Sequence, residues 1–258
     1  MIRIIESDQN PLFKSLKRLL APRGIHKQGE AVIAGRKLVE ETLRALPAQV
    51  TAWMTAGEEM PPPESAPRGI AWYQLAPALF REIDIFGTRA PLLLVRVPPL
   101  PVWDPADGLP EGASLLVPFQ DPENVGGVIR SAVAFGVDQI ILLEESAHPF
   151  HPKTLRASGG AALRARLVEG PSIRALPESL EILPLSPEGR DIATFEFPER
   201  FGLLPGLEGE GIPAAWRSRA LAIPIRPEVE SLNAAAAAAV ALYAWAASRA
   251  RRPVRQAR

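Results

Sequence analysis

Three segments of this 258-residue chain carry residue types that could act together on a ligand. They are Asn124-Val125-Gly126-Gly127-Val128-Ile129-Arg130, Gly206-Leu207-Glu208-Gly209-Glu210-Gly211, and Ile223-Pro224-Ile225 through Glu230-Ser231-Leu232-Asn233. In the first, Asn124 stands at the start of a helix whose first turn Gly126 and Gly127 leave bare, so that backbone N–H groups could meet an anion. Arg130 follows six residues later, less than two turns on, and a loop would have to bring the two side chains together. The second segment reads as a flexible glycine loop presenting Glu208; with Glu210 nearby, it suits a neutral or cationic ligand better than a phosphate. It does not follow the G-x-G-x-x-G dinucleotide fingerprint. In the third, Pro224 and Pro227 remove donors and leave carbonyls free to accept bonds from a ligand. Ser231 is the expected N-cap of the last helix, Asn233 falls in its first turn, and Ile223 and Leu232 could sandwich a flat apolar ring. Each segment alone also has a plain structural reading: a capped helix eased by glycines, an acidic turn, a strand-to-helix connection.

The elements that must position these segments fall into two parts. From Asn10 to Leu46 the pattern is mostly helical, with Leu12, Leu16, Leu19 and Leu20 at helix spacing, Lys14, Lys17 and Arg18 facing away, and Ala21-Pro22-Arg23-Gly24 as the turn that ends the first helix. Val32-Ile33 is a short strand, Arg36 to Leu46 a second helix, and Leu92 to Val97 a buried strand. The prolines between residues 98 and 112 predict a linker, and with it domains of residues 1–104 and 105–258. Beyond it, Leu115-Leu116-Val117 is a strand, Val125 to Phe135 a helix stopped by Gly136, and Gln139 to Leu143 another strand. Further strands are expected at Ile182 to Leu185, Phe201 to Leu204 and Ala220 to Ile225, and a helix from about Leu232 to Ala250. Such alternation predicts an α/β domain with a mainly parallel sheet, whose ligands sit beyond the carboxyl ends of the strands, where all three segments fall.

With 47% hydrophobic residues the chain can bury a sizeable core. It has no cysteine, which excludes a disulfide framework, a thiolate metal site and a cysteine nucleophile; three histidines offer little metal-binding capacity, and no metal is expected. No apolar run is long enough to span a bilayer, and the first residues lack a basic stretch followed by an apolar one, so a soluble cytoplasmic protein is expected. Net charge is zero, but unevenly distributed. Residues 1–37 hold eight Lys/Arg and three Asp/Glu, and residues 249–258 hold five Arg and no acid; subtraction from 29 of each sign leaves net −10 for residues 38–248. Positive ends on a negative body can grip a polyanion.

Pro122 through Ala132, followed by Ala134-Phe135-Gly136-Val137, is similar almost residue for residue to the first motif of the SpoU/TrmH-type RNA ribose 2'-O-methyltransferases. Gly206 to Pro213 resembles the second motif, and Ile223-Pro224-Ile225 through Asn233 the third. Pro152 to Ala161 resembles the family's intermediate Arg-x-Ser segment. Asn10 to Leu16 and Arg36 to Glu41 are similar to its ribosomal-protein-like substrate-binding domain. Departures stand at Pro205, where an aliphatic residue is usual, at Ala235, where a small polar one is common, and at Ala34, where a glutamate is usual.

The resemblance implies a C-terminal domain tied in a trefoil knot, an exception to the rule against knots, and a homodimer with its active site completed near the interface. It implies S-adenosylmethionine as cofactor, contacted at Gly206, Ile223 and Leu232. The implied reaction is methyl transfer to a ribose 2'-hydroxyl, with Arg130 holding the adjacent phosphate and stabilising the developing alkoxide, since a guanidinium, which keeps its proton, makes a poor ordinary base. Asn124, Glu208, Ser231 and Asn233 would orient it. Lys14, Lys17, Arg18, Lys27 and Arg156 would hold RNA, ribosomal RNA being preferred over transfer RNA by the type of the first domain. A non-catalytic RNA-binding or assembly protein would predict broken motifs, and these are intact.

Overall fold

A computed structural model of the chain describes residues 2–57, 60–206 and 212–251. Two units emerge from its internal packing: Met1–Pro99 together with His148–Leu163, and Leu100–Ala147 together with the chain from Arg164 onward. The sequence places the boundary after residue 104. The structure moves it a few residues earlier and hands the His148–Leu163 segment to the first unit. No helix among the described residues is long and apolar enough to cross a membrane.

The first unit contains β1 (Ile2–Ile5), α1 (Pro11–Arg18), α2 (Pro22–Gln28), β2 (Glu30–Ile33), α3 (Arg36–Ala45), β3 (Val50–Thr55), β4 (Ala71–Leu75), α4 (Pro77–Ile83) and β5 (Leu92–Arg96). The strands form one sheet in the order β1-β4-β3-β5-β2, with β1, β4 and β3 parallel and β5 antiparallel to both its neighbours. Asn10 starts α1 by accepting from the Leu12 N–H at 2.9 Å, with Pro11 in the first turn. The buried face of α1 is Phe13 and Leu16, with Leu19 just past its end, rather than a pure leucine row; they join Ile5, Met54, Leu75 and Phe80 in one cluster. Each such side chain contributes roughly 1.5–3 kcal/mol by leaving water. The Ala21-Pro22 turn does not end the helical region. Proline is as well suited to the first position of a helix, and Pro22 opens α2, which Gly29 closes in the left-handed conformation at φ 62°.

The second unit supplies β6 (Gly112–Val117), α5 (Pro122–Ala134) and β7 (Gln139–Leu142). After the α6 segment (Pro152–Ala157), which packs with the first unit, it continues with β8 (Leu167–Glu169), β9 (Ile182–Asp191), β10 (Arg200–Leu204), β11 (Leu221–Ala222) and α7 (Ala234–Arg251). The six strands run in the order β11-β9-β10-β6-β7-β8, and every pair is parallel. This is the α/β domain with a parallel sheet that the alternation predicts. Leu116, Ile141, Val168, Ile182 and Leu204 feed one core with Trp103 and Trp216. The α5 and α7 helices lie against each other, burying Val125, Val128, Ile129 and Ala132 on one and Ala238, Ala241, Leu242 and Trp245 on the other.

Three local expectations are corrected. The proline-rich linker is partly structured: Val102 bridges Glu169 beside β8, a sheet-edge position that prolines tolerate, and Trp103 is buried. The β9 strand runs past Leu185 to Asp191 through Pro187; among the described residues it pairs with β10 at residues 182–184 and with β11 at residues 190–191. The β11 strand is only two residues long, because Pro224 cannot donate to a ladder, and Ile223 to Ile225 leave the sheet. Where β9 meets β11, a Cβ on Gly189 would lie 2.5 Å from the Ala220 backbone; glycine is what lets the two strands approach.

Candidate active site

Asp121, not Asn124, caps α5: its carboxylate accepts from the Glu123 N–H at 3.1 Å and Pro122 fills the first helical position. Asn124 sits on the first turn. Gly126 and Gly127 lie beyond that turn, where their N–H groups serve the helix itself, so the expected anion site of bare donors is absent there. Gly127 faces α7 instead, where a Cβ on it would make ordinary contact with the Ala235 methyl at 3.9 Å.

The cap of α7 is Asn233 rather than Ser231. Its Oδ1 accepts from the Ala236 N–H at 3.1 Å and its carbonyl from the Ala237 N–H at 2.9 Å. Its amide Nδ2 donates to Oδ1 of Asn124 at 3.0 Å. Two asparagines thus tie together the N-terminal ends of α5 and α7, whose dipoles point the same partial positive charge into one place.

Beside this junction lies a cavity of 680 Å³, within the range of small-molecule sites. Its walls come from the middle of β9 (Leu185, Ser186, Pro187), the end of β10 (Pro205, Gly206), the 223–233 loop, and Asp121 and Asn124. Asn124, Gly206, Ile223, Ser231, Leu232 and Asn233 are therefore gathered in one site. Ile223 and Leu232 both face the cavity, as a flat-ring sandwich requires, and Leu232 is 37% exposed. Gly206 is there for space: a Cβ would come no closer than 3.6 Å to the Leu185 carbonyl, so a larger side chain would intrude on the cavity without breaking the backbone. The lining holds two carboxylates, Asp121 and Glu230, and among the described residues no basic side chain. Such a wall favours a cation or zwitterion over a polyphosphate.

Glu208 lies outside the described residues. Arg130 is not in the cavity lining. It is on the same unbroken helix as Asn124, about 9 Å further along and turned by roughly 120°, so no loop unites them; it is exposed on a shallow groove with Ala134, Phe135, Val240 and Tyr243. The five basic residues assigned to RNA all lie in the first unit. Lys14, Lys17, Arg18 and Lys27 are exposed on α1 and α2, with Lys17 paired to Glu82 at 2.7 Å and Lys14 bonded to Gln9. Arg156, on α6, places its guanidinium carbon 4.3 Å from the Phe86 ring centroid. Among the described residues no group of three His, Asp or Glu is set to hold a metal.

Asp121, Glu230 and the Leu185–Pro187 stretch line the cavity beyond the residues the sequence assigns to the site, and Pro205, one of the departures from the family pattern, lines it too. Asp121 was legible: Asp followed by Pro is the signature of a cap and first helical position. Leu185 to Pro187 carry no signal in the sequence, because it is the path of β9 beside β10 that brings them to the site.

The SpoU rRNA Methylase family model matches residues 114–243, which contain every described cavity residue. The chain is 61% identical over 246 residues to the Ribosomal RNA small subunit methyltransferase G 2 of Syntrophobacter fumaroxidans, covering 95% of this chain but 49% of that protein. It thus spans about half the length of that relative. It is 29% identical over 251 residues to the 23S rRNA (guanosine(2553)-2'-O)-methyltransferase RlmP of Bacillus subtilis, covering 93% and 97% of the two chains. The crystal structure of an AdoMet-bound rRNA methyltransferase from Sinorhizobium meliloti aligns with a TM-score of 0.73 over 98% of this chain and 99% of that one; at 23% identity the likeness is one of fold.

Proposed function

The chain belongs to the SpoU rRNA methylase family, and from that premise we propose that it transfers a methyl group from S-adenosylmethionine to a ribose 2'-hydroxyl of structured RNA, ribosomal RNA in the first instance. The observation that carries the reading is the lining of the cavity. Apolar side chains at Leu185, Ile223, Ile225 and Leu232 suit a flat heterocycle, and Asp121 and Glu230 suit the ammonium and sulfonium charges of this cofactor. When bound, S-adenosylmethionine supplies an electrophilic methyl on a positive sulfur. Gly206 leaves room for it, and the Asn124–Asn233 bond fixes the mouth through which a hydroxyl approaches. Ser231 and Asn124 offer polar groups to orient that hydroxyl, with Glu208 assigned the same task.

Arg130 has the guanidinium fork needed to hold the neighbouring phosphate and to stabilise charge on the attacking oxygen. We assign it to act across a homodimer, since within one chain it points away from the cavity. The apolar groove around it supports this: Val240 is 42% and Tyr243 61% exposed. The trefoil knot is carried as part of the same reading, on the resemblance of the three motifs to the family's. The first unit is read as the RNA-holding domain, on the basic surface of α1 and α2.

Calorimetry with S-adenosylmethionine, followed by transfer of labelled methyl to total rRNA and alkaline hydrolysis, tests the proposal. The expected result is cofactor binding abolished by Gly206→Val with the fold retained, and label in alkali-resistant dinucleotides. Unchanged affinity in that variant sinks the cavity assignment; label on bases sinks the ribose assignment.

A further inference from the structure

Arg156 is the exposed base of an aromatic stack that the cofactor site does not use. Its guanidinium carbon lies over the Phe86 ring at 4.3 Å, and both residues belong to the first unit. A guanidinium at this distance gains cation–π attraction and can stack its plane on the ring. The Arg156 side chain is itself exposed, so the group is open to solvent on the side away from Phe86. Among the described residues Arg156 makes no ion pair.

The loop that carries Phe86 is held rigid. The buried Asp84 carboxylate accepts from the Thr88 hydroxyl at 3.1 Å through Oδ1 and from the Arg89 N–H at 2.8 Å through Oδ2. Arg89 is the only non-glycine residue at positive φ, 53°, among the described residues. Such a backbone costs on the order of 1 kcal/mol or more and persists only where its surroundings enforce it. Arg89 is exposed and likewise without an ion pair among the described residues. The result is a flat cationic plane on an aromatic support and, three residues from Phe86 in the same fixed loop, a second unpaired guanidinium. A planar π-face carrying a phosphate matches that pair; a carboxylate or a lone phosphate would leave the plane unused.

We propose that Phe86 and Arg156 form a stacking platform for one unpaired nucleotide of the RNA substrate, the base lying on the outer face of Arg156 and the phosphate meeting Arg89. The proposal rests on the reading of the chain as an RNA-acting enzyme and adds where an unstacked base is taken. Unpaired bases, unlike those of an A-form helix, expose a face to stack, so the platform selects loops and bulges over duplex.

The probes are an RNA hairpin with 2-aminopurine in its loop and a blunt RNA duplex of equal length. The full-length wild type is expected to quench the loop fluorophore. Arg156→Lys keeps the charge but loses the plane, and Phe86→Leu keeps the apolar packing but loses the ring. Each should weaken hairpin binding roughly ten-fold or more while leaving duplex binding and its salt dependence in place. Arg156 is exposed, so its variant tests the platform even if Phe86→Leu unfolds. Equal losses on hairpin and duplex would reduce the pair to generic positive charge, and no loss on the hairpin would leave it without a role; either overturns the platform. A wild type that binds S-adenosylmethionine and duplex without quenching overturns the platform alone, whereas one that binds neither RNA overturns the RNA reading as well.

Discussion

Asn233 does two jobs with one amide, and substitution separates them. Its oxygen caps α7 and its nitrogen donates to Asn124. Asn233→Ala removes both and is expected to cost about 1 kcal/mol of stability from the cap alone. Asn233→Asp keeps the acceptor for the Ala236 N–H but turns an oxygen toward the Asn124 oxygen, so stability should hold within about 0.5 kcal/mol while cofactor affinity falls. Denaturant melts and calorimetry on the two variants check this; an aspartate variant with native cofactor affinity would make Asn233 a cap and nothing more. The role proposed for Arg130 is of a different kind, exerted when the oxygen gains charge. Arg130→Ala should lower the single-turnover rate by at least ~100-fold with cofactor affinity unchanged, the scale of losing one such donor. Arg130→Lys should recover little, because an ammonium lacks the fork. A wild-type rate in the alanine variant would remove Arg130 from the mechanism.

The α6 segment shows how an element is specified by contacts its own sequence does not announce. His151 caps α6, accepting from the Lys153 N–H at Nδ1, while Nε2 stands 3.2 Å from the Leu20 carbonyl; His148 accepts from the Phe150 N–H at Nδ1. Both Nδ1 atoms accept, so both rings act here without a proton on that nitrogen. Burial first, and then the neighbouring His26 and His151, hold His148 down at about 4 from 6.5, and burial lowers His151 as well. An unfolded chain takes up its proton at His148 near pH 6.5 but the folded one only near 4, so in that window the unfolded state binds more protons and stability falls as pH falls, by roughly 3 kcal/mol at most. Glu30, raised by its burial, contributes in the opposite sense, losing stability as pH rises above 4.5. His148→Asn keeps an acceptor for Phe150 and cannot titrate. Its melting temperature should decline less than that of the wild type between pH 7 and 4.5, and an identical slope would exonerate His148.

Elements whose signal is local were legible in the sequence. Strands β6, β7 and β10, helices α3 and α5, and the parallel class of the second sheet follow from apolar runs, proline and glycine stops, and alternation. What was not legible depends on a distant partner. Asn233 caps α7 while its amide is held by Asn124, and among the described residues Ser231 at the same loop end makes no such pair. The extension of β9 through Pro187 depends on Gly189 fitting under Ala220, and the Val102 bridge depends on β8. No window of sequence contains both halves of these pairs.

At the scale of the whole molecule, the residues proposed for the site divide between two places that one chain keeps apart. The cavity with Asn124, Gly206 and Asn233 opens at the N-terminal ends of α5 and α7; Arg130 lies further along α5, beside exposed Val240 and Tyr243. A twofold dimer through that groove would present the same patch on both copies, self-complementary by symmetry. Mixing two inactive variants decides whether catalysis needs it. Arg130→Ala keeps an intact cavity and Gly206→Val keeps an intact arginine. If each cavity uses the arginine of the other copy, a mixed dimer has one complete site and one doubly broken site. Random exchange at equal concentrations makes half the dimers mixed, so activity should return to about a quarter of the wild-type value. If the arginine acts within its own chain, every site in every dimer stays broken and the mixture remains inactive. Sedimentation of the separate variants confirms that each still forms dimers able to exchange, and silence from an exchanging mixture would move Arg130 out of the trans role.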